Sequence, residues 1–308
     1  MKGKKILPLC IVGAGCLWGL MGLFIRRFNE FGIDSMTIVF IRAVFTAVIT
    51  MTGLAIFRRE LLKIRLKDIW IFAGAGLLSI VFFNLCYFSA IKEMSLSVAA
   101  ILLYSSPVFV MLLSAVFFKE RVTARKIIAM AVSIFGLCLV TGLFEGQTSV
   151  SLSGILFGIG SAFGYALYSI FTRAAINRGY NPLTITGWSF TFAAIFSAFT
   201  ANYGACGEML AADIGMLGFS AVFAVVVTVL PYALYSLGLT GTENGKAAIL
   251  ASAEPVAATL YGAVFFGEIP SVIGVIGIAT VIVGILICGS NGKYEKENEN
   301  ESKNENYG

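Results

Sequence analysis

The sequence contains no histidine, and only 13% of its 308 residues are Asp, Glu, Lys or Arg. Soluble domains carry about 25% charged residues, so this poverty of charge excludes an ordinary water-soluble fold. Without histidine there is no HExxH pair and no imidazole to serve as metal ligand, base or proton relay. A phosphate-cradling GxxxxGK[ST] loop is also missing, which argues against direct ATP hydrolysis. The six cysteines, at positions 10, 16, 86, 138, 206 and 288, form no CxxC pair and fall almost entirely in apolar runs. Buried free thiols are their expected role, rather than disulfides or metal ligands. No catalytic constellation, metal or cofactor is expected, and an intramembrane enzyme is disfavoured.

What the sequence has instead is apolar length. Hydrophobic residues make up 58% of the chain and the mean hydropathy is +0.89. Runs long enough to cross a hydrocarbon core of about 30 Å recur almost from end to end. Ten are counted, near 7–25, 33–57, 69–91, 95–117, 127–144, 152–175, 183–203, 212–238, 247–267 and 271–289. Unbroken runs such as IIAMAVSIFGLCLV are not the alternating strands of an outer-membrane barrel. The expected fold is therefore an all-α integral membrane protein of ten transmembrane helices. The opening MKGKKILPLC has the order of a signal peptide, but its apolar run continues past Cys16 to spanning length and is taken as the first helix. The polar, low-complexity tail from Asn291 is expected to be disordered and cytoplasmic.

Of the 22 Lys and Arg residues, 18 lie in the N-terminus, the tail and the loops after the even-numbered spans. The positive-inside rule then places both termini in the cytoplasm. The same rule accounts for the net charge of +5, so no nucleic-acid partner is needed.

One phrase is written twice. SSPVFVMLLSAVFFKE at 105–120 is echoed by AEPVAATLYGAVFFGE at 253–268, always 148 residues later, and Tyr87 pairs with Tyr235 and Gly136 with Gly284 at the same offset. Each copy holds five spans, an odd number, so the second enters the membrane from the opposite side. The expected division is a first repeat over 1–145, a second over 146–290 and a tail over 291–308. Inverted-topology repeats are typical of secondary transporters, which bind their solute near the midplane between the halves. A stable duplicated scaffold or receptor is the competing reading.

Ionisable residues inside spans cost at least about 2.5 to 3.5 kcal/mol on insertion scales. Two stand out. Arg42 either anchors a solute carboxylate or gates, or else pairs with helix carbonyls or snorkels. Glu254 accepts a proton, binds an amine or pairs with Arg42, or is simply hydrogen-bonded across helices. Pro107 and Pro255 are expected to kink spans 4 and 9 and to free the carbonyls of Leu103 and Ala251. Trp18, Asn84, Tyr87, Tyr104, Tyr165, Tyr168, Trp188, Tyr232 and Tyr235 are candidate cavity residues, with an interfacial aromatic belt as the alternative. Three GxxxG motifs, starting at Gly15, Gly154 and Gly160, allow close packing within the chain or a homodimer. Glu120 and Glu268, which close the two copies of the echo, are expected at helix ends as connection or capping residues.

Together, CLWG in span 1, FIRA in span 2, the P…FFKERVTARK segment and EPVAATLYGAVFFGE resemble the EamA-type family of the drug/metabolite transporter superfamily, over about residues 7 to 289. The resemblance implies a bacterial inner-membrane transporter, often an exporter of amino acids or related metabolites, with a central cavity. Its matching positions include Trp18, Arg42, Pro107, Glu254 and Pro255. Two departures fall in loops: Lys119 stands where the family usually has Gly, and IPS replaces a Thr-containing turn in the second copy. Efflux of cationic drugs is the runner-up, disfavoured because no carboxylate occurs between Ile6 and Ile25. Phosphorylated sugars would want several buried cations, and only Arg42 is offered.

Overall fold

The structure, a computed structural model, describes residues 2–143 and 151–289. It is 83% helical, and no strand occurs among the described residues. In chain order the helices are α1 (Ile6–Asn29), α2 (Ser35–Phe57), α3 (Leu66–Glu93), α4 (Leu96–Phe118), α5 (Ala124–Val140), α6 (Leu152–Ile176), α7 (Pro182–Ser197), α8 (Tyr203–Ala212), α9 (Gly215–Leu239), α10 (Asn244–Phe266) and α11 (Val272–Gly289). Eight of these have at least 18 residues and the hydropathy to cross a membrane. At the other two expected positions, α5 and α7 are helices of only 17 and 16 residues. Of the ten expected spans, eight are thus helices of full spanning length, and the other two positions hold shorter helices. The run expected to end at 203 stops as a helix at Ser197, and α8 was not anticipated. The expected disorder of the tail and the repeat boundary at 145/146 lie outside the described residues.

Polar side chains set where the helices begin. Asp34, Ser95, Thr123, Ser151, Asn181 and Asn202 each accept a backbone N–H from the first turn of the helix that follows. The serine of the IPS departure does the same work as its repeat-mate Thr123: Ser271 Oγ accepts the Gly274 N–H at 3.1 Å. The outward faces are apolar, with Val116 73%, Leu156 63% and Leu286 63% exposed. Such an exterior is stable only where lipid takes the place of water.

The two copies share their irregularities as well as their helices. A π-helical turn occupies Leu77–Val81 in α3 and Val225–Val229 in α9, again 148 residues apart. In α9 the cause is Pro231, which brings no N–H to the carbonyl one turn before it. In α3 the Asn84 side chain donates to the Ile80 carbonyl at 2.7 Å. Both α4 and α10 are broken in mid-membrane, at Tyr104–Ser105 and Ala251–Ser252, and restart at Ser106 and Ala253. The expected kinks at Pro107 and Pro255 are therefore full breaks placed just before each proline. The Ala251 carbonyl is not freed but accepts the Glu254 N–H at 3.0 Å in a tighter turn. Both broken helices end in the left-handed region, at Lys119 (φ 56°) and Gly267 (φ 69°).

The GxxxG motifs are used within the chain. A methyl group added at Gly19 would lie 2.8 Å from the Ala258 nitrogen, one at Gly158 2.4 Å from Leu102, and one at Gly164 3.0 Å from the Leu78 carbonyl. The pairing of α5 against α11 repeats one contact across the pseudo-twofold axis. Methyl groups at Gly136 and Gly284 would lie 2.7 Å from the Val281 nitrogen and 3.0 Å from the Ser133 nitrogen, and 133 and 281 are themselves repeat-mates.

The two ends of the bundle differ in charge. At the cation-rich end, the buried Asp68 joins Arg65 (2.7 Å), Arg178 (2.8 Å) and the Tyr180 hydroxyl (2.7 Å), tying the α2–α3 connection to the α6–α7 turn. There Arg173 also donates to the carbonyls of Leu239 and Thr242 and to Asn244 Oδ1. At the cation-poor end, Arg26 pairs with Glu268 at 2.5 Å, with both side chains half exposed.

Candidate functional site

A cavity of about 240 Å³ runs from mid-membrane toward the cation-poor end, bounded by α1, α2, α3, α4, α6, α9 and α10. Gly19 positions two of these walls, since its missing side chain lets α1 lie against the backbone of Glu254 and Ala258. Trp18 thereby packs edge-on to Tyr232 at 5.2 Å, and Tyr232 packs on Tyr168 and Phe190, both at 4.8 Å.

Arg42 enters the cavity from α2. It is 4% exposed, its Nε has no hydrogen-bond partner, and the contact made by its Nη1 is the thioether of Met21 at 3.6 Å. A guanidinium carries five donors in a fork that fits a carboxylate. Left against a sulfur in a low-dielectric site, its donors are not matched by an anion or carbonyl among the described residues.

Glu254 enters from α10 and owes its position to the helix break. It stands in the first turn of the restarted segment, where the helix dipole favours a carboxylate. The Tyr165 hydroxyl donates to its Oε2 at 3.3 Å. Its repeat-mate Ser106 is buried and does not line the cavity. The break is therefore symmetric and the charge is not.

The sequence candidates sort into three groups. Trp18, Arg42, Asn84, Tyr87, Tyr104, Tyr165, Tyr232 and Glu254 line the cavity. Tyr168 and Tyr235 line a smaller recess beside it, where Tyr235 and Ser169 hydroxyls are 2.7 Å apart. Trp188 lies elsewhere: its indole donates to the Leu62 carbonyl at 3.0 Å, near the cation-rich end. Sequence reasoning missed Met21 and Phe83. Met21 follows Trp18 by three residues and shares its helix face, a spacing that could have pointed to it.

The two halves, residues 6–142 and 152–290, each match the EamA-like transporter family. The chain belongs to that family. It is thus a multi-pass membrane transporter of the drug/metabolite transporter superfamily and not an enzyme. A protein of Archaeoglobus fulgidus named an uncharacterized transporter is 30% identical over 283 residues, covering 90% of this chain and 94% of its own. The Bacillus subtilis protein YcbK, also named an uncharacterized transporter, is 29% identical over 226 residues, covering 71% of this chain and 72% of its own. A solved crystal structure is similar at a TM-score of 0.74 over 93% of this chain and 96% of its own; at 16% identity it speaks for the fold alone.

Proposed function

We propose that this EamA-family transporter moves small zwitterionic metabolites, amino acids or close relatives, out of the cell across a bacterial inner membrane. The observation that carries the reading is Arg42 and Glu254 facing one cavity from opposite halves of the chain with no ion pair between them. A solute with a carboxylate at one end and an ammonium at the other would satisfy both, and the cavity volume suits a small molecule. The tyrosines around it offer hydroxyls and ring faces to an amphipathic side chain. The two repeats, 1–145 and 146–290, would rock about the site by alternating access. The cation-rich end would face the cytoplasm together with both termini. Glu254, the carboxylate of the cavity in a chain without histidine, would carry the coupling proton.

Efflux of cationic drugs is the second reading, since Glu254 amid tyrosines also suits a lipophilic cation. The buried guanidinium of Arg42 in the same cavity opposes it electrostatically. No homodimer enters the proposal, because the GxxxG motifs that suggested one are occupied by contacts within the chain. Counterflow in proteoliposomes tests the function against amino acids, their amides and lipophilic amines. Saturable exchange of amino acids is expected; exchange no faster than in protein-free vesicles would favour a scaffold.

A further inference from the structure

The duplicated sequence makes one contact twice and another only once. At α5–α11, Gly136 on Val281 and Gly284 on Ser133 are the same contact made by each copy. At the cation-rich end, the second segment of α4 (Ser106–Phe118) closes on the first segment of α10 (Asn244–Leu250). A methyl group on Gly245 would lie 2.9 Å from Met111 Cγ, and Val110 and Ala248 are buried in one cluster. Glu120 seals this contact, its carboxylate accepting the N–H of Asn244 at 2.8 Å and of Gly245 at 3.2 Å.

At the other end the corresponding residues stand apart. Subtracting or adding 148 turns Gly245 and Met111 into Ser97 and Thr259, and Ala248 and Val110 into Ala100 and Ala258. All four line an open side cavity of about 270 Å³ that shares Tyr87, Tyr104 and Ala258 with the central one. Glu268, the mate of Glu120, is turned away to Arg26.

We infer that the first segment of α4 (Leu96–Leu103) and the second segment of α10 (Ala253–Phe266) form a second gate, open here, that closes with Ser97 on Thr259 and Ala100 on Ala258 when the Met111–Gly245 gate opens. The inference rests on the alternating-access reading above and assigns its two gates to residues. Three features make the exchange physical. The parts are alike, because breaks, π-turns and left-handed caps recur in both copies, so a packing that one pair adopts is open to the other. The α5–α11 contact is already the same for both copies, so it need not change. The cost is local: Glu120 gives up two backbone donors, and Ser97 gives up its 2.6 Å bond to the Thr141 carbonyl. The second gate carries Ala258 and Thr259 where the first has Val110 and Met111. It therefore buries less apolar surface, and the resting protein is expected to stand open at the cation-poor end.

The test is disulfide trapping in membranes, using a chain whose six native cysteines are replaced. Three pairs are compared: Ser97→Cys with Thr259→Cys, Met111→Cys with Gly245→Cys, and Ser133→Cys with Val281→Cys. The third pair is expected to cross-link in all conditions, which reports an intact fold. In the otherwise unaltered protein the Met111/Gly245 pair should dominate. Adding Glu120→Gln removes a charged acceptor and should raise the yield of the Ser97/Thr259 pair relative to the Met111/Gly245 pair about tenfold. A Ser97/Thr259 pair that never cross-links while Ser133/Val281 does, or gate pairs that rise and fall together, would overturn the inference. Cross-linking is read without flux, so a protein that failed in counterflow would count against the transport reading and leave the gate result standing.

Discussion

Arg42 of the first repeat and Glu254 of the second face the same cavity, yet the guanidinium rests on a methionine sulfur and the carboxylate on a tyrosine hydroxyl. Opposite charges held in one low-dielectric cavity without pairing cost more than the paired arrangement, so their separation needs a reason. A solute that bridges them supplies one. The charges become complementary to a molecule rather than to each other.

Arg42→Gln should therefore discriminate between solutes. Transport of an amino acid should fall by roughly 10 to 100-fold in apparent affinity, as for loss of a charge-assisted hydrogen bond. Transport of the corresponding amide, which has no carboxylate to lose, should change much less. Competition counterflow with the acid and the amide measures both. An equal loss for the two would show that Arg42 acts through the fold and not on the carboxylate.

Glu254→Gln keeps the shape of the site and removes its proton-binding charge. Counterflow, which needs no net driving force, should persist with a weakened apparent affinity for solutes that carry an ammonium, while stimulation by an imposed pH gradient should vanish. Uptake by the same vesicles with and without the gradient is the measurement. A Gln variant still fully driven by the gradient would end the coupling role of Glu254.

Gly136→Leu and Gly284→Leu should destabilise the protein alike, by about 1 to 3 kcal/mol each, because both force α5 and α11 apart at backbone contacts under 3.1 Å. Gly53→Leu, with nothing within 4 Å of the added carbon, should stay within about 0.5 kcal/mol of the parent. Thermal unfolding in detergent compares the three.

Lys119 occupies the left-handed position that Gly267 fills in the other copy. A side chain there is strained by roughly 1 kcal/mol. Lys119→Gly is expected to raise the unfolding midpoint, and Gly267→Lys to lower it.

The architecture was legible because it rests on run length and on an exact repeat offset. Ten apolar runs were read from hydropathy, eight of which are helices of spanning length, and the inverted duplication was read from the echo around Pro107 and Pro255. The helices that escaped were those whose length is set by neighbours: α7 ends at Ser197 although the apolar sequence continues, and α8 follows it under an Asn202 cap. Arg42 and Glu254 were found because charge inside a span is conspicuous. Aromatic residues carry no such flag, since a tyrosine on a helix suits a cavity, a recess or a membrane end equally well. That is why Tyr87, Tyr168 and Trp188, all aromatic residues with a polar tip, lie respectively in the central cavity, in the recess beside it and near the cation-rich end.

The π-turns of α3 and α9 fix the cavity wall by counting. Each fits one extra residue into a turn, so everything beyond it is rotated about 100° relative to an uninterrupted helix. Asn84 and Tyr87 lie beyond the first turn, Tyr232 and Tyr235 beyond the second. Removing a single residue from Leu77–Val81 or Val225–Val229 would leave composition and hydropathy almost untouched, yet swing that polar wall toward the lipid. The lining of this transporter is written as a length, and a one-codon deletion there would re-aim it.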